Sequence, residues 1–152
     1  MNGLRAIEEN DLLTNPTGLG IRDDSGGSGY FNAPRGNRLH EGIDFSALAG
    51  GQNVVAPDSG TITNFTGRTS GYPMARIVPS NPNAGYEYME ILYIDRPQGV
   101  REWVSRTINA GDIIGSSVNL QSLGYPANVG PHIHLQMFLD GTRIDHTPFF
   151  FR

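Results

Sequence analysis

The sequence predicts a mostly β fold, and three observations carry that prediction. Twenty glycines and ten prolines among 152 residues are spread along the whole chain, which suits short strands joined by turns. Seven stretches rich in Val, Ile, Tyr or Phe are each bounded by Gly, Pro, Asn or Asp. No apolar stripe at helical spacing is long enough for a partner helix or a membrane surface.

In chain order, residues 4–13 read as one short helix and 15–37 as an extended, turn-rich lead-in dominated by Gly and Asn. The cluster Gly26, Gly27 and Gly29 lacks the preceding strand and following helix of a phosphate loop, so it reads as a flexible loop. Strands are expected at 53–56, 60–65, 75–78, 86–95, 102–105, 112–115 and 132–139. The length suits one core, and we divide the chain into a lead-in, 1–34, packed on a domain, 35–152.

Charge and composition exclude several functions. Fifteen acidic against eleven basic residues, with no run of basic charge, give no electrostatic grip on a phosphate backbone, so nucleic acid is not an expected partner. There is no cysteine, which rules out disulfides and thiolate ligands, and a zinc site here must use histidine and carboxylate. Glu8, Glu9 and Asp11 stand where a secretory signal would need a basic start and an apolar run, and no stretch approaches membrane-spanning length. The expectation is synthesis in the cytoplasm without a Sec-type address, and no membrane partner.

Two motifs carry chemistry. In HIHLQMF, side-chain alternation puts His132, His134, Gln136 and Phe138 on one strand face and Ile133, Leu135 and Met137 on the other, so an apolar trio anchors two adjacent imidazoles. In HEGID, His40 and Asp44 are an even number of residues apart, and Gly42 between them leaves the gap unfilled. Together they offer two nitrogens and a carboxylate oxygen with an imidazole to spare, and three protein ligands with an open fourth position describe a catalytic zinc. The alternative for each motif alone is a surface residue or a satisfied core histidine. Three of the four histidines nevertheless fall in these two motifs.

The motifs HEGID (40–44), NVVAPDSGTITNF (53–65), INAGDIIG (108–115) and GPHIHLQ (130–136), in that order, resemble the lysostaphin-type zinc endopeptidases, which cut peptide cross-links in bacterial cell walls. The resemblance covers roughly residues 35–148. It implies a mostly antiparallel β domain with a zinc-containing groove, one Zn2+ held by His40, Asp44 and His134, and His132 as the catalytic histidine beside it. A peptidoglycan peptide or glycan is the implied partner.

One position departs from the family. Its strand ending in Tyr-x-His is matched here by ILYIDR, so Asp95 stands where the second catalytic histidine is expected. Asp95 as a base, or Tyr93 as a donor to a developing oxyanion, are the candidate replacements. The chain also resembles leukocyte cell-derived chemotaxin 2, a non-catalytic relative, in R-x-x-R-x-H-x-G-x-D and in a Tyr-Ile strand end without that histidine. Two functions therefore stand: a zinc metallopeptidase acting on peptidoglycan at the cell wall, endolysin-like and delivered within a phage tail or injection machine, or a catalytically impaired, zinc-stapled binding or structural module.

Four further residues are singled out. Arg38 and Gln136 are candidates to orient the ligands, Arg38 being equally readable as a solvated surface residue. Tyr125 and Asn128 are candidates for the groove wall. His146, in RIDHTPFF, reads as a surface or tail residue.

Overall fold

The structure, a computed structural model, describes residues 12–49, 51–66, 73–96 and 105–151. Its first strands are short: β1 (Asp23–Asp24), β2 (Gly27–Ser28), β3 (Pro34–Arg35), β4 (Arg38–Leu39), β5 (Ile43–Ser46) and β6 (Asn53–Val55). Then come β7 (Gly60–Thr66), β8 (Met74–Pro79), β9 (Tyr88–Leu92), β10 (Ile94–Asp95), β11 (Arg106–Ile108) and β12 (Ile113–Ser117). β13 (His132–Leu139), β14 (Thr142–Ile144) and a one-turn helix, α1 (Thr147–Phe150), complete the described chain.

Among the described residues seven strands form one antiparallel sheet in the order β11-β7-β8-β9-β13-β14, with β5 beside β14 on the same edge of β13. A second sheet has the order β10-β12-β6, and β1-β2 and β3-β4 are separate hairpins. β13 is the pivot. β9 pairs along one of its edges from His134 to Phe138, while β5 takes the other edge from His132 to Leu135.

The alternation read from HIHLQMF is visible in burial. Ile133, Leu135 and Met137 are inaccessible to solvent and join Ile43, Phe45, Ile62, Ile77, Met89 and Ile91 in the main core. Removing a side chain of this size from water stabilises by about 2–3 kcal/mol, which is what anchors the strand. A smaller cluster of Tyr93, Val118, Leu120 and Val129 lies apart from it.

Strands were expected where β6, β7, β8, β12 and β13 form, with bounds within about two residues. The stretch 86–95 is two strands. Tyr93 takes φ 70°, a left-handed conformation rare outside glycine, and the bend lets the chain leave the large sheet as β9 and enter the small one as β10. Of the expected strand at 102–105, residues 102–104 lie outside the described residues, and β11 begins at Arg106. The expected helix at 4–13 also lies outside them, except that 12 and 13 are irregular.

The glycine cluster is not a flexible loop. It closes the β1-β2 hairpin and runs against β5: Arg22 N–H donates to the Asp44 carbonyl at 2.8 Å, and Asp44 N–H to the Gly29 carbonyl at 2.9 Å. A Cβ on Gly29 would stand 2.7 Å from the Asp44 Cβ, so only glycine allows this approach.

Candidate metal centre and groove

Register brings the two motifs together. In the β5-β13 ladder Asp44 lies directly opposite His134, and His132 lies opposite Ser46. His40 arrives by another route than the strand parity suggested: it precedes β5 in irregular backbone, held by His40 N–H to the Ala33 carbonyl at 2.8 Å. Gly42 makes room for this path. A Cβ there would stand 2.3 Å from the Leu135 carbonyl oxygen and 2.8 Å from His134 Nε2.

His40 Nε2, Asp44 Oδ1 and His134 Nδ1 form a triangle with edges of 2.9, 3.1 and 3.2 Å. The second nitrogen of each imidazole decides what the first can do. His40 Nδ1 lies 2.9 Å from the Tyr30 carbonyl, which only accepts, so Nδ1 carries the proton and Nε2 presents a lone pair. Gln136 imposes the same on His134. Its amide nitrogen donates to Glu90 Oε1 at 2.8 Å, so its oxygen is left to accept from His134 Nε2 at 3.1 Å, and His134 Nδ1 presents a lone pair as well. Arg76 grips the far oxygen of Glu90 through Nη2 at 2.7 Å.

Three acceptors this close repel one another unless a cation or a proton lies among them. Four ligands at zinc-like distances of about 2.0–2.1 Å stand about 3.3 Å apart in a tetrahedron, so the observed edges are those of one tetrahedral face, slightly contracted. The residues present therefore fit a zinc ion, with two imidazoles of fixed tautomer and one carboxylate oxygen as donors.

The rest of the site orients these groups. Asp44 Oδ2 accepts from Arg22 Nη2 at 3.0 Å and Nε at 3.3 Å, which turns Oδ1 toward the imidazoles. Burial works to raise the Asp44 carboxyl, but His134 and His40 on Oδ1 and nearby His132 outweigh it and hold the group well below the usual carboxylate range. His132 Nδ1 donates to the Gly130 carbonyl at 2.8 Å, leaving Nε2, 3.6 Å from Asp44 Oδ2, as the free acceptor. Burial pushes His132 down from its ordinary value, against the opposing pull of Asp44.

Above the cluster lies a groove of about 570 Å³, walled by Arg22, Arg35 and Arg38 and by Leu92, Tyr93 and Tyr125 among others. The Tyr93 and Tyr125 hydroxyls are 2.5 Å apart, and the Tyr93 ring meets the His132 ring edge-on at 5.5 Å. Asp95 is elsewhere: it pairs with Ser116 in the small sheet and does not line the groove, because the bend at Tyr93 sends the tyrosine to the groove instead. Tyr125 lines the groove and Asn128 does not.

Two departures from the sequence reading stand out. Arg22, with 5% of its surface exposed, and the Tyr30 and Gly130 carbonyls orient the cluster, and none of them carries a local signal. His146 is no surface or tail residue. It is fully buried between Phe31 and Phe150, with ring centroids at 6.3 and 6.1 Å, and its Nδ1 donates to the Ile144 carbonyl at 3.1 Å.

With this geometry in place, sequence comparison matches residues 38–146 to Peptidase family M23. The chain belongs to peptidase family M23. Membership makes the domain a metallopeptidase of the lysostaphin type, mostly β and antiparallel. Among solved structures, the catalytic domain of lysostaphin, an antimicrobial peptidase of Staphylococcus simulans, is 27% identical. That match covers 81% of this chain and 89% of the lysostaphin domain, with a TM-score of 0.58.

Two structures of lower identity share the fold. A mutant catalytic domain of EnpA, a prophage-encoded M23 protein of Enterococcus faecalis, is 17% identical over 90% of this chain and 95% of that one, with a TM-score of 0.59. A zinc-containing peptidase from Vibrio cholerae is 18% identical over 86% of this chain, with a TM-score of 0.55. The chain spans 37% of the Vibrio cholerae peptidase and 48% of a longer lysostaphin chain. No curated protein matches it.

Proposed function

We propose that this M23 domain is a zinc endopeptidase that hydrolyses peptide cross-links of bacterial peptidoglycan, with His40, Asp44 and His134 as the ligands of one ion. The observation that carries the reading is the convergence of three unprotonated donors whose tautomers are set by Tyr30 and Gln136. A zinc ion held there supplies Lewis acidity, acidifying a water and polarising a peptide carbonyl. His132 receives the proton at Nε2, because the Gly130 carbonyl holds its other nitrogen and burial keeps the ring neutral near pH 7. Tyr93, paired with Tyr125, directs a phenolic donor into the groove where negative charge develops on the carbonyl oxygen.

Tyr93 supports this role by its backbone. A non-glycine residue in the left-handed region is held there by its surroundings, here Tyr93 N–H to the Pro73 carbonyl at 2.7 Å and Val118 N–H to the Tyr93 carbonyl at 3.0 Å. Asp95 then acts at most through β10, which begins at the residue after Tyr93.

The position of Asp95 favours a second reading, in which the zinc is a structural staple on a binding module. One experiment separates the two. Zinc-loaded protein, its stoichiometry checked by elemental analysis, is incubated with purified cell walls and with short cross-link peptides. Release of fragments, lost in Tyr93→Phe by about 10- to 100-fold and in His132→Ala by more, supports the peptidase. One bound zinc with no release at any pH leaves the staple. Delivery in a phage tail or injection machine belongs to the same proposal, and its absence from purified virions would remove that route alone.

A further inference from the structure

The β3-β4 hairpin carries a pair of arginines of which the fold and the metal cluster account for one. Its ladder places Arg35 directly opposite Arg38, and like charges facing across an antiparallel pair destabilise it. A hairpin with two residues per strand has few other contacts to offset that cost.

The two arginines differ in how they are held. Arg35 is anchored, with Nη2 donating to the Ser28 carbonyl at 2.5 Å, Nη1 to the Pro34 carbonyl at 3.2 Å, and Asp44 Oδ2 3.7 Å from Nη2. Arg38 is exposed and has no salt-bridge partner among the described residues. Both line the groove, two and five residues before the ligand His40. The acidic groups of that lining are already engaged: Asp44 by Arg22, and Glu41 by Arg143 at 3.3 Å. A chain of net charge −4 thus turns a cationic wall toward its own groove.

We propose that Arg38, backed by Arg35, is a subsite for a carboxylate of the substrate, so that the preferred peptide carries a free carboxylate close to the scissile bond. The inference rests on the peptidase reading for its substrate class and adds the charge of that substrate. The planar guanidinium presents two parallel N–H donors to a carboxylate, and the partner charge would relieve the Arg35–Arg38 opposition, which Asp44 offsets at Arg35 alone. A primary amide at the same place offers one acceptor and no charge.

The test reads binding rather than hydrolysis. Two dye-labelled stem peptides, identical except that one glutamate has a free α-carboxylate in the first and its primary amide in the second, are titrated with zinc-loaded protein by fluorescence anisotropy. The expected result is about tenfold tighter binding of the acid, weakening with salt, with Arg38→Gln bringing the ratio of the two affinities to about one. Arg38→Lys should restore part of the preference.

Equal affinities, no binding of either peptide, or a preference that survives Arg38→Gln overturns the subsite. Tighter binding of a glycerol phosphate polymer than of the acidic peptide overturns it too, by assigning the wall to phosphate. Absence of hydrolysis with the preference intact would remove the peptidase reading and leave the carboxylate subsite standing.

Discussion

The two faces of β13 are about equally dry and satisfied in opposite ways. Ile133, Leu135 and Met137 need only contact with their neighbours in the main core. His132, His134 and Gln136, no more than 9% exposed, are satisfied atom by atom, through Gly130, Gln136 and Glu90. What is left over on that face, a lone pair on His132 Nε2 and one on His134 Nδ1 beside those of His40 and Asp44, no protein group among the described residues satisfies. Burial therefore stabilises one face directly and the other only when a cation completes it.

The largest expected effect breaks the polar face. His134→Ala should abolish stoichiometric zinc and lower hydrolysis by at least about 10³-fold, while the chelated protein changes in stability by less than about 1 kcal/mol, since one of three mutually repelling acceptors is gone. Elemental analysis with urea denaturation of the chelated protein checks both halves. A collapse of metal-free stability would show that the face supports the fold without an ion.

Leu135→Ala, one residue along on the opposite face, should show the reverse pattern. A loss of about 2–5 kcal/mol is expected, with one zinc per folded molecule retained. Loss of zinc from the protein that remains folded would mean the two faces are not separable.

His146 adds a buried imidazole on the apolar side, where phenyl rings surround it and Nε2 has no hydrogen-bond partner among the described residues. Burial lowers it from 6.5 to about 4, opposed by the Ile144 carbonyl and Asp145 and helped by the charge of His134. The unfolded chain then takes up a proton below pH 6.5 that the folded chain refuses until about pH 4. Stability is whole above 6.5 and falls as the pH drops toward 4, by about 3 kcal/mol at the acid end. Denaturation at pH 7.5 and 4.5 of the wild type and His146→Leu isolates this loss. The same pH slope in both proteins would place the sensitivity elsewhere.

The smallest effect sharpens the contrast. Gln136→Ala removes the acceptor that sets the His134 tautomer and should weaken zinc binding about 10- to 100-fold with stoichiometry unchanged, read by competition with a chromophoric chelator. Unchanged affinity would mean that Glu90 and Arg76 play no part in orienting the ligand.

The sequence reading reached furthest where a local rule operates. Alternation along HIHLQMF separated the anchoring residues from the imidazoles, and Gly42 marked the place where a side chain could not fit. It stopped where the cause is remote. The bend at Tyr93 is written in no turn residue, so the sequence predicts one strand over 86–95 and offers Asp95 alongside Tyr93 for a place in the site. Arg22 and Gly29 read as loop residues because Asp44, the β5 residue they bond, lies 22 and 15 residues further along the chain.

Taken alone, the chain of amino acids determined the β class, the strands on which the chemistry is mounted, and the residue types able to hold a metal, because periodicity and composition are local. Only the tertiary structure decided which nitrogen of each histidine is free, which carboxylate oxygen faces it, and which of Tyr93 and Asp95 meets the groove. Those outcomes depend on carbonyls, amides and guanidinium groups brought in from distant segments, and no local pattern encodes where such partners come to rest.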